Sequence, residues 1–261
     1  MKKILALMLA VLMVMACFTG CAAKGKTLQQ VKDAGKLVIA TSPDFPPFES
    51  LEGGKVVGIE IDILELICKE LGVELAVEEM DFDAVLNGIQ SAKYDAAVSG
   101  ITVTDARKKN MLFTDAYYEA AQAIVVKEGS AIVTKADLDG KKVSVQTGTT
   151  AEEFCLDNGY TVSSFQANAD AQTALTSGKV DAWVIDNCTA IEMVEKYNSE
   201  NEDKLVILDE AMTTEPYAFA FAFGSEDLVE AVNSILNKLI EDGTIEGIFE
   251  DYDTIYEAPQ K

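Results

Sequence analysis

The stretch at residues 99–107, Ser-Gly-Ile-Thr-Val-Thr-Asp-Ala-Arg, has the residue types of a carboxylate receptor. It follows the short apolar run 94–98, which is typical of a buried strand reaching its carboxyl end. A planar guanidinium binds both oxygens of a carboxylate at once, and neighbouring hydroxyl and amide donors complete such a site. An arginine in a turn is also common as a solvated surface charge. The stretch alone therefore leaves both interpretations of Arg107 open.

Polar residues follow other apolar runs in the same way. The fragment 146–150, Gln-Thr-Gly-Thr-Thr, passes from a predicted strand into a predicted helix, where free amides can face an anion. It lacks the lysine of a Walker loop. Asp186 follows the apolar run 181–185 and is either the N-cap of the next helix or the partner of an ammonium group. Open α/β sheets bind ligands at the carboxyl ends of their strands, so Arg107 and Asp186 suit a zwitterion lying between two such units.

Composition excludes several classes of function. The chain has 261 residues, is 49% hydrophobic and carries a formal net charge of −23. Such acidity disfavours nucleic acid as a partner. The chain contains no histidine, which excludes Ser-His-Asp and Cys-His catalysis and histidine-ligated zinc. We expect neither a metal nor a cofactor.

The first twenty residues have the pattern of a targeting segment. Lys2 and Lys3 precede the apolar run 4–18, which is short for a membrane span. Residues 18–21, Phe-Thr-Gly-Cys, resemble the end of a bacterial lipoprotein signal, although leucine is usual where Phe18 stands. We therefore expect a signal peptide at 1–20, lipidation of Cys21, and export with anchoring to the outer face of the cell membrane. The alternative is an ordinary signal peptide with an incidental cysteine.

Three cysteines remain beyond this segment, namely Cys68, Cys155 and Cys188. An odd number in an exported chain leaves at least one free thiol, so no disulfide framework is required. Cys68 lies in an apolar helical pattern and is expected to pack as a small hydrophobe. Whether Cys155 and Cys188 pair stays open.

The remaining chain alternates strand and helix patterns in two rounds. Apolar runs and strand-like patterns predict strands at 37–40, 73–77, 95–98, 122–126, 143–146, 161–165, 180–185, 205–208 and, by alternation, 217–223. Helical spacing predicts helices at 31–36, 63–71, 83–91, 150–158, 169–177 and 187–197, followed by helical residues from 228 onward. This rhythm is typical of α/β units with mostly parallel sheets flanked by helices. Pro46 and Pro47 exclude a helix at 41–49 and predict an extended loop at the carboxyl end of the first strand.

The two units are joined without a flexible linker, and the terminal helices have no sheet of their own. We infer that these helices return to the first unit, with a two-stranded hinge formed near 118–122 and 215–219. The predicted boundaries are an anchor and tether at 21–35, lobe 1 at 36–119 plus 219–261, and lobe 2 at 120–218.

Six segments, taken in order, resemble the extracellular solute-binding proteins of the polar amino-acid ABC importer family (family 3). They are Phe-Pro-Pro-Phe-Glu at 45–49, Gly-Ile-Glu-Ile-Asp at 58–62, Met-Asp-Phe at 80–82, residues 99–107 with Phe-Thr-Asp at 113–115, residues 146–150, and residues 181–186. The resemblance runs from about Lys36 to the C-terminus. It implies a two-lobed type II periplasmic-binding-protein fold that binds an L-amino acid without enzymatic activity. The implied partners are the permease and ATPase subunits of an importer, and we expect a monomer.

The resemblance also implies roles for individual residues at the charged end of the ligand. Arg107 matches the arginine that binds the ligand α-carboxylate, and Asp186 matches the aspartate that binds the α-ammonium. Ser99, Gly100 and Thr102 match the groups shared between the carboxylate and the ammonium. Buried ions need such partners, which agrees with the residue chemistry.

Further matches concern the second lobe and the ligand side chain. Thr150, with Thr149 beside it, matches the donors that reach the carboxylate from lobe 2. Phe45 and Phe82 match the aromatic pair on either side of the ligand side chain.

Specificity is expected to depend on Ser42 and Gln146. Ser42 stands where relatives that bind basic or amide side chains often carry aspartate, although Asp44 nearby could compensate. Gln146 is neutral and offers both a donor and an acceptor, which suits a side chain such as that of glutamine. The sequence therefore favours a polar or neutral amino acid.

Two other functions stay open from the sequence. Related folds include a dehydratase acting on cyclohexadienyl acids, so an enzyme on this scaffold is an alternative. It would need a cleft carboxylate of raised pKa, and no residue stands out for that role. We do not expect a sensory ligand-binding domain, because no transmembrane or signalling segment follows Lys261.

Overall fold

The structure is a computed structural model that describes residues 24–210 and 212–259. The predicted signal peptide at 1–20 and the predicted lipidation site Cys21 lie outside the described residues. Within the described residues, none of the helices combines the length and the apolar character needed to cross a bilayer.

Eight α-helices and fifteen strands make up the described chain. The helices are α1 Leu28–Ala34, α2 Ile59–Leu71, α3 Phe82–Gln90, α4 Thr150–Asp157, α5 Asn168–Thr176, α6 Asn187–Glu200, α7 Glu226–Glu241 and α8 Thr244–Asp251. The strands are β1 Lys36–Thr41, β2 Asp44–Phe45, β3 Glu49–Glu52, β4 Lys55–Val57, β5 Glu74–Glu79, β6 Ala96–Ala97, β7 Leu112–Phe113, β8 Tyr118–Ala120, β9 Gln122–Lys127, β10 Lys142–Gln146, β11 Thr161–Phe165, β12 Ala182–Asp186, β13 Leu205–Ile207, β14 Glu215–Tyr217 and β15 Ala220–Phe221. Short 3-10 helices occupy Arg107–Lys109 and Lys135–Leu138.

Two five-stranded sheets form the two lobes, in the orders β5-β1-β6-β15-β7 and β11-β10-β12-β9-β13. In each sheet the first three strands are parallel, and a single strand, β15 or β9, is antiparallel to its neighbours. These two strands are the ones that follow a passage through the hinge. The other strands run toward the hinge, so a strand that begins at the hinge runs antiparallel to them. The predicted α/β fold with mostly parallel sheets is confirmed.

The hinge is a two-stranded antiparallel sheet of β8 and β14, with Tyr118 opposite Tyr217 and Ala120 opposite Glu215. It confirms the predicted two-stranded connection. The predicted strand at 217–223 is divided between this hinge and β15, because residues 218–219 pass from one sheet to the next. Helices α7 and α8 pack on α2, in the first lobe. The numerical lobe boundaries, 36–119 plus 219–261 and 120–218, stay a prediction.

The region 42–57 differs from the predicted extended loop. Strands β2, β3 and β4 form a small antiparallel sheet in which Phe45 lies opposite Glu49. Pro46 and Pro47 occupy the turn between β2 and β3, where no ladder hydrogen bond from their nitrogens is needed. The turn is closed by the amide of Phe48, which donates to the carbonyl of Phe45 at 3.0 Å.

The segment expected to be a free tether is fixed to lobe 1 from Gly25 onward. The Gly25 amide donates to the Phe223 carbonyl at 2.9 Å, and the Lys26 ammonium lies 2.9 Å from the buried Asp95 carboxylate. A Cβ on Gly25 would lie 2.1 Å from Ser225 Oγ, so only glycine allows this close approach. Thr27 then begins α1 with a capping box.

Apolar side chains cover both faces of each sheet and are closed off by the helices. All three cysteines of the described chain are buried and free, so Cys155 and Cys188 are not paired. Cys68 packs in the main core on α2, as predicted. Burial raises the pKa of each thiol, to about 11 for Cys68 and Cys188 and about 12 for Cys155.

Candidate functional site

A cavity lies between the lobes at the carboxyl ends of β1, β6, β10 and β12. Every predicted site residue except Ser42 lines it. The lining residues are Asp44, Phe45, Phe82, Ser99, Gly100, Thr102, Arg107, Gln146, Thr149, Thr150, Ala151, Asn168, Val184, Ile185 and Asp186. The parallel strands bring these distant segments together, because their carboxyl ends share one edge of each sheet.

Arg107 is held by backbone carbonyls rather than by a carboxylate. Its Nη1 donates to the Thr102 carbonyl at 2.9 Å, and its Nη2 donates across the cleft to the Gly148 carbonyl at 3.2 Å. The guanidinium lies 5.6 Å from the centre of the Phe82 ring. Burial lowers the pKa of Arg107, and the negative charges of Glu215 and Asp186 partly offset that effect. Among the described residues Arg107 has no ion-pair partner.

Asp186 stands at the N-cap position of α6, yet its side chain makes no capping hydrogen bond. Its carboxylate instead accepts hydrogen bonds from the Gln122 amide and the Tyr217 hydroxyl. Burial, followed by the negative charge of Glu215, raises the pKa of Asp186 to about 7. The capping interpretation of Asp186 is therefore excluded, and a buried carboxylate with no cationic partner in the described chain is left facing the cavity.

The donors of Ser99 and Gly100 point away from the cavity. The Ser99 hydroxyl donates to Glu49 Oε1 at 2.7 Å, and the Gly100 amide donates to Glu60 Oε2 at 3.0 Å. The hydroxyl of Thr102 takes part in none of the hydrogen bonds found in the described structure, so it is free for a ligand.

The two threonines at the start of α4 have different roles. Thr149 caps the helix, because its hydroxyl accepts from the Glu152 amide at 3.2 Å and donates to the Gln146 carbonyl at 2.7 Å. The Thr150 hydroxyl only accepts a hydrogen bond, from Gln122 at 3.2 Å, and keeps its own proton for a further partner.

The position of the Phe45 ring at the cavity depends on Gly100. Phe45 is stacked on Phe48 with ring centres 5.8 Å apart. Gly100 has φ +54°, and a Cβ there would lie 2.5 Å from the Phe45 ring. Phe82 is the first residue of α3 and is also buried. The two rings thus reach the cavity from different elements of lobe 1.

Asp44 connects the lobes at the other end of the cavity. Its carboxylate accepts from Gln146 Nε2 at 3.2 Å and from the Asn168 amide at 2.8 Å, both in the second lobe. Ser42 lies behind Asp44 and donates to its carboxylate at 2.9 Å, which is why Ser42 supports the wall without lining it. Burial raises the pKa of Asp44.

The described residues contain no cluster of three or more cysteine, aspartate or glutamate side chains that could hold a metal ion. The cavity instead presents one guanidinium and two carboxylates, none of which has an ion-pair partner of its own in the described chain.

Residues 37–254 match the family model of bacterial extracellular solute-binding proteins, family 3. The chain belongs to this family. As a solute-binding protein of the amino-acid ABC transporters, it acts outside the cytoplasm, and the resemblance seen in its motifs is confirmed.

Individual relatives agree with this assignment. The arginine-binding extracellular protein ArtP of Bacillus subtilis (strain 168) is 32% identical over 252 residues, covering 94% of this chain and 96% of that protein. The L-cystine-binding protein TcyJ of Escherichia coli (strain K12) is 32% identical over 231 residues, covering 86% and 85% of the two chains. A solved structure of an ancestral arginine-binding protein bound to glutamine is 39% identical with a TM-score of 0.78, covering 84% of this chain and 97% of that one.

These relatives are binding proteins, and the solute-binding protein described here is not an enzyme. Two polar residues that line its cleft were missed as site residues from the sequence: Asp44, which was considered only beside Ser42, and Asn168. Asp44 lies close to prolines, which is typical of a solvated turn. Its position one residue before the predicted site residue Phe45 is the signal that could have identified it as a site residue. Asn168 reaches the cleft only because the lobes meet, and no local signal reveals that.

Proposed function

We propose that this solute-binding protein captures an L-α-amino acid in the interlobe cavity and delivers it to the permease and ATPase subunits of an ABC importer. The observation that carries the proposal is a guanidinium and a carboxylate, Arg107 and Asp186, that line one cavity and lack ion-pair partners in the described chain. A zwitterion supplies the missing partner of each. Thr102 and Thr150 are free to donate to its carboxylate.

The charges at the cleft also favour a class of side chain. An α-amino acid neutralises Arg107 and Asp186, which leaves Asp44 as a carboxylate without a cation. A partly buried charge of this kind is stabilised by a charged partner. We therefore propose a cationic side chain, lying between Phe45 and Phe82 and ending near Asp44. The arginine-binding relative ArtP supports this choice.

A polar neutral side chain, such as that of glutamine, is the second candidate. Gln146 lines the cavity as the sequence suggested, and the ancestral arginine-binding protein was solved with glutamine bound. However, both functional ends of the Gln146 amide are engaged, by Asp44 and by Asn168 at 3.1 Å. Because both ends are engaged, Gln146 is less suited to select the ligand side chain.

Titration calorimetry with matched ligands separates the two candidates. Arginine and citrulline have nearly the same shape, but only arginine is cationic. We expect arginine to bind at least about tenfold more tightly than citrulline, since a charged hydrogen-bonding partner is worth about 1.5–3 kcal/mol. In Asp44→Asn this ratio should fall toward one. Equal binding of both ligands by the unaltered protein would favour the neutral candidate.

A second set of variants tests the zwitterion site itself. Arg107→Ala and Asp186→Ala should each abolish binding of every amino acid while the folded state persists in circular dichroism. Lys108→Ala is the matched control, because Lys108 is exposed and makes only a weak contact of 4.0 Å with Asp105. Retained affinity in both cleft variants would contradict the proposal.

We further propose that Cys21 carries the lipid that anchors the exported protein to the outer face of the cell membrane, and that the protein acts as a monomer. The test is fractionation of cells with mass spectrometry. The natural chain should be found in the membrane fraction with the mass of a lipid adduct on Cys21, and Cys21→Ser should lose both. Sedimentation of the released protein should give the mass of one chain.

A further inference from the structure

Two glutamate side chains lie buried together behind residues 99–107, which we call the ligand loop. Glu49 is the first residue of β3 and Glu60 lies in the first turn of α2. Both are fully buried, and neither lines the cavity. Unpaired carboxylates are almost never found fully buried, so this pair requires an explanation.

Each carboxyl group accepts a hydrogen bond from one residue of the loop. Glu49 receives the Ser99 hydroxyl at 2.7 Å, and Glu60 receives the Gly100 amide at 3.0 Å. Glu60 also receives the Tyr117 hydroxyl, which comes from the segment leading into the hinge. The pair thus connects the loop, α2 and the approach to the hinge.

The pair cannot carry two negative charges. No cation forms an ion pair with either carboxyl group in the described chain, and both groups are fully buried. Burial, followed by the charge of Glu60 and with a smaller effect from Asp44, raises the pKa of Glu49 well above its usual range. Glu60 accepts two donors and lies at the N-terminal turn of a helix, where a negative charge is favoured. The proton therefore resides on Glu49, whose Oε2 has no hydrogen-bond partner in the described structure.

We propose that Glu49 and Glu60 share one proton and act as positioning residues that hold the Ser99–Gly100 turn in its ligand-binding conformation. The proposal rests on the proposed amino-acid site. With the donors of both loop residues turned inward, their backbone carbonyl oxygens accept no hydrogen bond in the described structure. The loop then offers acceptors to the ligand ammonium.

The hydrogen-bond requirements of the two carboxyl groups differ, and this difference makes the proposal testable. In Glu49→Gln the amide group can donate where the shared proton was, and its oxygen can still accept from Ser99. In Glu60→Gln one neutral amide oxygen must accept the two hydrogen bonds, from Gly100 and Tyr117, that the charged carboxylate accepted. The first substitution therefore preserves the arrangement, and the second disrupts it.

Calorimetry with arginine, the ligand proposed above, tests positioning. We expect Glu49→Gln to bind within about threefold of the unaltered protein and Glu60→Gln to bind about tenfold more weakly, since one buried donor loses its charged acceptor. Asp62→Asn is the matched control, because Asp62 lies on the same helix but accepts from Tyr252 at 2.9 Å. Its affinity should not change. Unaltered binding in Glu60→Gln would overturn the positioning role.

Thermal unfolding without ligand tests the shared proton. A carboxyl group whose pKa is raised on folding stabilises the protein fully below the unfolded value of about 4.3 and loses that contribution as pH rises through the folded value. Glu49→Gln removes this loss. Its melting temperature should therefore rise relative to the unaltered protein as pH increases from about 5 to about 8. A difference independent of pH would overturn the shared proton. If no amino acid binds the unaltered protein, the proposed function fails, while the melting comparison still decides the state of the pair.

Discussion

At the scale of single residues, the cleft is a set of charges whose partners are missing. Asp186 illustrates the cost, because burial, followed by the charge of Glu215, raises its pKa to about 7. The ammonium of an amino acid binds the ionised form of this group. Protonation and ligand therefore compete for the same carboxylate.

This competition predicts a pH dependence of affinity. The ionised fraction of a group with a pKa of about 7 falls about tenfold between about pH 8 and about pH 6, and the apparent Kd should rise by the same factor. Calorimetry at the two pH values measures it. Asp186→Asn should bind weakly with little pH dependence over that interval. An unchanged Kd in the unaltered protein would contradict a raised pKa at this position.

A second residue-scale prediction concerns Gly100. Gly100→Ala places a methyl group 2.5 Å from the Phe45 ring at a φ of +54°. We expect a loss of about 2–4 kcal/mol in the free energy of unfolding, together with weaker ligand binding as Phe45 moves. Gly53→Ala is the control, because Gly53 has φ +57° and open space at its Cβ position. It should cost only the backbone term of about 1–2 kcal/mol. Equal losses would show that the contact with Phe45 is unimportant.

At the scale of elements, β14 joins the ligand site to the hinge. Tyr217 is paired with β8 through its backbone and donates to Asp186 through its hydroxyl. Pro216 contributes its carbonyl to the Val103 amide at 2.8 Å, which fastens the same strand to the ligand loop. Tyr217 therefore connects Asp186 directly to the hinge sheet.

Tyr217→Phe tests this connection. The tyrosine hydroxyl lowers the pKa of Asp186, so its removal should raise that pKa further and move the pH midpoint of ligand binding upward. Affinity at about pH 7 should fall several-fold and recover at higher pH. Tyr118→Phe on the opposite hinge strand is the control, because the Tyr118 hydroxyl contacts Cys188 instead of Asp186. Identical pH profiles for the two variants would contradict the argument.

The comparison of sequence and structure is also clearest at this scale. The apolar run that ends at Asp186 predicts its strand, Ala182–Asp186, well, because burial on both faces imposes that pattern. The small sheet β2–β4 was not predicted, since its residues are polar and its turn contains two prolines. The burial of Glu49 and Glu60 could not be predicted either, because acidic residues normally face solvent. Only the fold shows that these two side chains are buried together.

At the scale of the whole molecule, the two lobes meet through polar contacts around the cavity. Arg107 reaches Gly148 across the cleft, and Asp44 reaches Gln146 and Asn168. No disulfide links the cores of the lobes among the described residues, since the three described cysteines are free and buried. A net charge of −23 keeps an exported domain of this kind soluble.

The state of the thiols gives a molecule-wide prediction. Burial raises the pKa of Cys68, Cys155 and Cys188, so the folded protein should react negligibly with a thiol reagent. After denaturation a chain processed at Cys21 should expose three thiols if Cys21 is lipidated, since Cys68, Cys155 and Cys188 are free. An unlipidated chain that begins at Cys21 should expose one more. Rapid reaction of the folded protein would contradict the burial of these groups.

The docking of Gly25 against Phe223 would limit how far the protein moves from a lipid anchor on Cys21. Four residue steps separate Cys21 from Gly25, which is a span of at most about 14 Å for an extended chain. A lipid on Cys21 would therefore keep the Gly25 attachment point on lobe 1 at nearly constant height above the bilayer. Opening of the cleft would then be a displacement of lobe 2 alone, measured against a first lobe that stays beside the membrane and its importer.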